Sequence, residues 1–590
     1  MKSSYTDSCA WSVRRFSRSA RGAGAATSEY RPRGLCPIRW KHLAPLLALL
    51  EILLVAPGRV SAATPDLDRS GSNRLMDAHL ALQALDMARA RALAASFSER
   101  EKKSPEVRYF LGRLKFYEGA YDQALHYFSG LTFVDEAGNR DTFPEYVRRV
   151  AEATRGMVWS ESEHFKIFFD PASLDGILVR YALDTLEKAY LAVGSELGHY
   201  PPEQVRVEIF PTSARFIQAS GLTAEEIETT GTVALCIYNK IMITSPRALA
   251  LGYRWLDTLS HEYVHLVVAQ RSRNTVPVWL QEGLAKFFEV RWRGGRGADM
   301  TRTSESLLAE AIRADRLVPF DRMSPSLAKL PSAEEAQLAF AEVQTVIEYL
   351  VQERGLEALG RLMDEMAAGK SDRRVIEEIM GVPFPQFEVD WKAFMARKQL
   401  RFIPRLAVLP TILEAQEVGT DEEQKQDKVA DPFMAENRAL REYARLGDLL
   451  RERGRFKAAL IEYGKARDSV EVESPALSVK IALTHLLGDQ PEEAVAVLEE
   501  AIDMYPSFAP AYTTLARALI RLEDADGAVE ALENANAINP FDPSIHELLA
   551  VLYQAAGEPE TARAEHRVAM ALRTGRPLIP HGTDQDEPTP

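Results

Sequence analysis

Cysteine is scarce in this chain of 590 residues. The sequence holds three, Cys9, Cys36 and Cys236, and the first two precede the point where a signal peptide would be cleaved. With Cys236 alone in the mature chain, an intramolecular disulfide and a cysteine-based zinc site are both excluded. Cys236 lies in the apolar run 233–237, so we interpret it as a buried core residue rather than as a nucleophile.

A hydrophobic run long enough to cross a bilayer comfortably is also lacking. The apolar stretch 43–56 is shorter than the roughly 20 residues that a spanning helix needs. It follows a basic segment and precedes small residues, which predicts a secretory signal peptide over residues 1–62. Glu51 interrupts the apolar core, and an uncleaved N-terminal anchor is the alternative. We therefore expect an exported protein, periplasmic or extracellular, which contacts the membrane only if this segment is retained.

Positive charge is concentrated in that first segment. The chain has a net charge of −14, of which residues 1–62 contribute +7, so the remainder carries −21. Such an acidic protein is not expected to bind nucleic acid or anionic lipid as its main activity. The hydrophobic content of 46% and charged content of 26% are typical of globular proteins, and the length suffices for three or four domains.

A period of 34 to 35 residues marks the C-terminal part. Two sets of alanines follow it: Ala459, Ala494, Ala528, Ala562 and Ala466, Ala501, Ala535, Ala569. Small residues allow two antiparallel helices to approach closely, and Pro506 and Pro540 would end two of the repeats. Residues 436–574 thus resemble a tetratricopeptide (TPR) array of three full repeats and a capping one, whose groove would bind a protein partner or substrate. A purely structural array of hairpins is the alternative.

The other segments differ in character. Residues 73–155 are predicted to be helical and carry one isolated TPR-like match, 411–435 is a charge-rich linker, and 575–590 is a disordered tail. Between them we predict strands at 164–169, 205–210, 233–238 and 241–244, an amphipathic helix at 174–196, a helix at about 250–271 and a helical lobe at 303–400. This order predicts an α+β domain over residues 160–405, with a cleft between a small mixed sheet and the helical lobe.

Two histidines on the helix at 250–271 are candidates for metal binding. His261 and His265 are four residues apart, so their imidazoles lie on one face of a helix. Glu262 lies beside them, where its carboxylate can accept a proton from a coordinated water. Glu282 follows on the next predicted helix and could complete the ligand set. For each histidine taken alone, a hydrogen-bonded core residue is the alternative.

The run from Val276 to Glu289 narrows this interpretation. Together with His261–His265 it resembles the gluzincin superfamily of metallopeptidases, and most of all its "peptidase MA" branch, in which Pro-x-Trp-x-x-Glu-Gly-x-Ala follows the first motif closely. The resemblance covers about residues 160–400. It implies that His261, His265 and Glu282 bind Zn²⁺, that Glu262 is the general base, and that a zinc-bound water attacks the peptide bond of a peptide or protein substrate.

The sequence departs from that family at two positions. Lys286 stands where relatives often place an acid that supports a ligand histidine, and Glu289 or Asp257 could take that role, with a solvent-facing position as the alternative for either. Phe340 stands where relatives often have tyrosine and offers no hydroxyl for an oxyanion. We expect Tyr349 to pack inside the lobe.

The substrate is expected to lie along an edge strand. By analogy with gluzincins, residues Gly231, Thr232, Val233 and Ala234 could form the strand that pairs with an extended substrate, an ordinary buried strand being the alternative. No segment resembles the acidic motif with which aminopeptidases bind a free amino terminus, so endopeptidase activity is favoured. The competing hypothesis is a catalytically decayed envelope scaffold in which only the TPR repeats act.

Overall fold

The structure is a computed structural model that describes residues 67, 69–132, 141–295, 300–323, 327, 330–404, 406, 411–413 and 437–578. The predicted signal peptide, most of the predicted linker and most of the predicted tail lie outside these residues. The first helices are α1 (Arg69–Gln83), α2 (Met87–Ser96), α3 (Pro105–Tyr117), α4 (Tyr121–Phe128) and α5 (Phe143–Ala153). In the described part of the chain, no helix is both long and apolar enough to cross a membrane.

The middle of the chain forms a mixed sheet and a helical lobe. Its strands are β1 (Val158–Glu161), β2 (Phe165–Phe169), β3 (Val205–Phe210), β4 (Ala234–Ile237) and β5 (Lys240–Thr244). Its helices are α6 (Leu178–Leu197), α7 (Ser213–Ser220), α8 (Ala224–Thr230), α9 (Trp255–Arg271), α10 (Val278–Phe288), α11 (Arg302–Arg313), α12 (Ala333–Arg354), α13 (Glu357–Ala367), α14 (Asp372–Met380) and α15 (Phe384–Arg397).

The sheet has the strand order β1-β2-β3-β5-β4. β2, β3 and β5 are parallel, and the antiparallel strands β1 and β4 flank them. Val207 in β3 aligns with Ile167 on one side and Ile241 on the other, and all three side chains are fully buried. Helices α6 and α9 share one core with this sheet, so the helix that carries the two histidines lies against it.

The C-terminal part consists of four helical hairpins. The helices are α16 (Arg438–Glu452), α17 (Phe456–Asp468), α18 (Pro475–Leu487), α19 (Pro491–Met504), α20 (Ala509–Arg521), α21 (Ala525–Asn536), α22 (Pro543–Ala555) and α23 (Pro559–Thr574). All eight periodic alanines lie on the second helix of a hairpin, and each is at most 5% exposed. The predicted fold class, an α+β domain flanked by all-α hairpins, is confirmed.

A buried polar cluster joins the N-terminal helices to the sheet. Lys240 in β5 donates a hydrogen bond to the Tyr121 hydroxyl at 2.6 Å, and that hydroxyl donates to Glu208 in β3. Arg206 donates to the same carboxylate at 2.6 Å. Lys240 and Glu208 are fully buried. Because isolated buried charges are costly, this pairing fixes α4 against the sheet.

The predicted element boundaries need three corrections. The helix expected from about 250 begins at Trp255, because Gly252 has a φ of 67° and the N–H groups of Tyr253 and Trp255 donate to carbonyls of the TPR array. Of the expected strand Gly231–Ala234 only Ala234 belongs to β4, since Gly231 has a φ of 70° and ends α8. Strand β1 and helices α7 and α8 were not predicted.

Candidate metal centre and active site

Helices α9 and α10 bring three potential ligands to one point. His261 Nε2 lies 3.1 Å from His265 Nε2, and Glu282 Oε2 lies 3.3 Å from the first and 3.4 Å from the second. The three side chains are 12%, 13% and 19% exposed. The four-residue spacing of the histidines on α9 produces this convergence, and Glu282 reaches it from the following helix.

The spacing of these atoms fits a tetrahedral metal ion. With zinc–ligand distances of about 2.0–2.1 Å, two ligands of a tetrahedral site are separated by roughly 3.3–3.4 Å. The three distances of 3.1, 3.3 and 3.4 Å lie close to that value. Among the described residues, these three are the His, Cys, Asp or Glu side chains whose ligand atoms cluster closely enough to hold one ion. Two imidazole nitrogens and one carboxylate oxygen are a donor set that zinc accepts.

Glycine at position 283 lets α10 approach the lobe. A β-carbon on Gly283 would lie 2.7 Å from the carbonyl oxygen of Val343 and 3.0 Å from Ile347 Cγ1 on α12. Trp279, one turn before Glu282, is 2% exposed, and its indole N–H donates to Asp372 at 3.0 Å. Close packing and this hydrogen bond thus set the position of Glu282.

Glu289 supports His261 from its other ring nitrogen. Glu289 Oε2 lies 3.0 Å from His261 Nδ1, and Lys286 Nζ donates to the same carboxylate oxygen at 3.1 Å. Lys286 stands where relatives often have the supporting acid, but here it pairs with Glu289, which contacts His261 instead. Asp257, the other candidate, binds Arg254, Trp292 and Arg293. A carboxylate placed like that of Glu289 fixes the orientation of a ligand histidine.

Glu262 lies next to the cluster, on the sheet side. Its side chain is buried and lies beside the backbone of Cys236 in the edge strand β4. Burial raises the pKa of the Glu262 carboxyl. Cys236 is half-buried against the main core, and burial raises the pKa of its thiol far above the ordinary value, as expected of an unreactive residue.

The candidate ligand residues shift one another's pKa. Burial acts to lower the pKa of His261, but hydrogen bonds with Glu282 and Glu289 raise it to about 9. Burial acts to raise the pKa of Glu282, but the positive charge of His265 and hydrogen bonds with both histidines hold it far below its ordinary range. A bound cation would replace the proton on His261.

Tyr349 and Phe340 in the helical lobe both have apolar surroundings. Tyr349 is 6% exposed and packs against Phe387 and Phe394, as predicted. Phe340 is half-buried beside the main core. Neither residue provides a hydroxyl at the ligand cluster.

Comparison with known proteins identifies the parts of the chain. Residues 185–397 match the Peptidase MA superfamily, and residues 444–509 and 486–552 each match a tetratricopeptide repeat family. The chain therefore contains a Peptidase MA superfamily domain followed by TPR repeats, the architecture that the sequence predicted. All four residues of the candidate site, from His261 to Glu282, lie within the first match.

Solved structures match about a quarter of the chain length. The structure of MamA 41-end from Desulfovibrio magneticus RS-1 is 19% identical, with 26% of this chain and 86% of that one covered and a TM-score of 0.22. A thermophilic TPR protein in Thermus thermophilus is 24% identical, with 23% and 75% covered and a TM-score of 0.21. The comparison with curated proteins found no match.

Proposed function

We propose that this protein is a zinc-dependent metallopeptidase that hydrolyses internal peptide bonds of a polypeptide substrate. The observation that carries the proposal is the convergence of His261, His265 and Glu282 within 3.1 to 3.4 Å of one another. The match of residues 185–397 to the Peptidase MA superfamily supports it.

Each residue of the site would have a separate role in the reaction. His261, His265 and Glu282 would hold Zn²⁺, which polarises a carbonyl group and acidifies water. Glu262 would accept a proton from the attacking water and pass it to the leaving amine. Burial raises the pKa of Glu262, which makes its carboxylate a better proton acceptor and favours this exchange.

The remaining parts would bring the substrate to the site. We propose that the TPR repeats bind the substrate or a protein partner, because such arrays present extended surfaces to peptides and helices. Export to the periplasm or the cell exterior rests on the basic and then apolar N-terminal sequence alone.

A scaffold without catalytic activity is the second candidate function. The observation that favours it is Phe340, which offers no hydroxyl donor at a position where relatives often have tyrosine. In that case the TPR repeats would carry the function.

One experiment separates the two candidates. The chain from residue 63 is purified, its zinc content is measured, and its hydrolysis of an unfolded protein is compared with that of Glu262→Gln. We expect one zinc per chain, and near-complete loss of activity in Glu262→Gln with zinc retained. Glu353→Gln, an exposed glutamate at the end of α12, is the matched control. A metal-free protein, or equal hydrolysis by wild type and Glu262→Gln, would overturn the peptidase proposal.

A further inference from the structure

A pocket lies where the Peptidase MA domain meets the TPR array. Its volume is about 340 Å³, within the range of ligand-binding pockets. One wall comes from the segment Gly231–Val233 and the start of α9, a second from Thr303 on α11 and Gln337 on α12, and a third from Met504–Ser507 at the end of α19. The third wall lies outside the residues that match the peptidase superfamily.

The pocket begins one helical turn from the candidate metal centre. Thr258, which lines it, precedes His261 by three residues and Glu262 by four, so all three lie on one side of α9. Val233, on the same wall, leads into β4, whose Cys236 lies next to Glu262. An extended chain bound in the pocket would therefore continue past Glu262.

Hydrogen bonds hold the TPR wall in place. Arg254, immediately before α9, donates to Asp257 at 2.6 Å, to the Pro506 carbonyl at 3.3 Å and to Asn534 at 3.4 Å. One guanidinium thus connects the active-site helix to two successive TPR hairpins. Because the wall is tied to the helix that carries the ligands, it forms a fixed side of the cleft.

The lining mixes aliphatic and neutral polar residues and is almost uncharged. Of the described residues that line the pocket, Arg254 alone carries a charge, and Asp257 pairs with it. The other polar side chains are hydroxyls and an amide, including Thr258, Thr303 and Gln337. Hydroxyls and amides both donate and accept hydrogen bonds, as a peptide backbone requires. Because Arg254 is already paired with Asp257, a charged substrate side chain would lose its hydration here without gaining a free partner.

The chain itself places an extended segment at the rim. The N–H of Ala250 donates to the Ile412 carbonyl at 3.0 Å, and Leu249 pairs with Leu413 as an antiparallel bridge. Thr411 and Ile412 contribute to the lining, and Thr411 Oγ1 approaches Gly231. The rim thus already holds one extended segment of this chain through backbone hydrogen bonds, the kind of contact by which extended polypeptide is bound.

We infer that this pocket binds an uncharged, extended segment of a polypeptide substrate, with the TPR wall Met504–Ser507 as a specificity-determining surface. Hydrolysis of the bound segment rests on the proposed function, but its binding requires neither zinc nor catalysis. Neutral polar and aliphatic side chains are the substrate class that the lining accepts.

The test measures peptide binding to the full chain without added metal. A fluorescent decapeptide of Ser, Thr, Gln, Val and Leu is titrated by anisotropy, beside two decapeptides in which Asp or Lys replaces the polar residues. Ser507→Trp, which fills the pocket from the TPR wall, is expected to weaken neutral-peptide binding by about tenfold or more. Thr303→Trp fills it from the wall formed by α11 and α12 and should act alike. Ser195→Trp, at an exposed serine of α6, should bind as wild type.

Thermal unfolding of each variant identifies any that fails to fold, and substitutions on two different walls give independent readings. Equal binding to wild type, Ser507→Trp and Thr303→Trp, no binding of the neutral peptide, or tighter binding of a charged one would overturn the inference. Failure of the proposed function has a different signature: Glu262→Gln would hydrolyse protein as wild type does, while peptide binding would still respond to Ser507→Trp.

Discussion

The indole Nε1 of Trp255 donates a hydrogen bond to the backbone carbonyl of Asn536, 3.1 Å away. Trp255 is the first residue of α9, and Asn536 is the last residue of α21 in the TPR array. The backbone N–H of Trp255 also donates to the Ala537 carbonyl at 3.1 Å. The repeats thus form part of the scaffold that holds the helix carrying His261 and His265.

Trp255→Phe tests this connection. The change keeps an aromatic ring but removes the donor, leaving the Asn536 carbonyl without the indole, so we expect a loss of about 1–2 kcal/mol in the free energy of unfolding. Hydrogen exchange should accelerate at the start of α9 and the end of α21. Trp159→Phe, at a side chain 37% exposed on β1, is the control and should change stability little. Unchanged exchange in both helices would contradict the coupling.

Local patterns of the sequence predicted the repeats and most of the sheet. The eight periodic alanines, among them Ala528 and Ala535, are buried. Their strict spacing predicted this, because small residues are needed where two helices of a repeat pack closely. Strand β3 matches its predicted bounds, since its apolar residues alternate clearly. Strand β1 was not predicted: it is four residues long and alternates between half-buried and exposed positions.

Long-range partners explain what the sequence could not predict. The start of α9 depends on carbonyls of Asn536, Ala537 and Ile538, of which Asn536 is 281 residues from Trp255, and no local signal marks such an acceptor. Likewise the residue pattern left Glu289 and Asp257 as equal candidates for supporting His261. The orientation of α10 relative to α9 decides between them, and this orientation is a property of the packed core. The roles of His261, Glu262, His265 and Glu282 stay predictions.

Glu289→Gln should weaken zinc binding. The carboxylate of Glu289 lies 3.0 Å from His261 Nδ1, and removal of such a supporting acid reduces metal affinity by roughly 10–100-fold. Competition with a chromogenic chelator measures the affinity. Asp257→Asn is the matched control, because Asp257 binds arginines and Trp292 and should affect stability but not zinc affinity. An equal loss of zinc affinity in both variants would contradict the assignment of Glu289.

His79 should make the N-terminal helices sensitive to acid. Burial, with the charge of Arg113 acting in the same direction, lowers the pKa of His79 to about 3. The unfolded chain has a histidine pKa near 6.5 and so binds more protons than the folded one between these values. The contribution of His79 to the free energy of unfolding is therefore complete above pH 6.5, and it falls by up to roughly 4–5 kcal/mol as the pH decreases toward 3.

The non-titrating variant His79→Gln should flatten this pH dependence. Urea unfolding between pH 4 and 8, combined with hydrogen exchange in α1 and α3, measures the effect. His126→Gln, at an exposed histidine on α4, is the control and should keep the dependence of the wild type. If His79→Gln lost stability with acid as steeply as wild type, the buried neutral histidine would not be its source.

Gly283→Ala should impair both packing and zinc binding. An added methyl group would meet the Val343 carbonyl at 2.7 Å, so α10 must move away from α12 and carry Glu282 out of position. Overpacking of this kind costs about 1–3 kcal/mol. Gly464→Ala is the matched control: this glycine also lies in a helix, α17, but a β-carbon there meets no atom within 4 Å. It should stabilise the protein by up to about 1 kcal/mol and leave zinc affinity unchanged. Thermal unfolding and zinc competition on both variants separate the effects, and normal zinc affinity in Gly283→Ala would show that the close contact with α12 does not position Glu282.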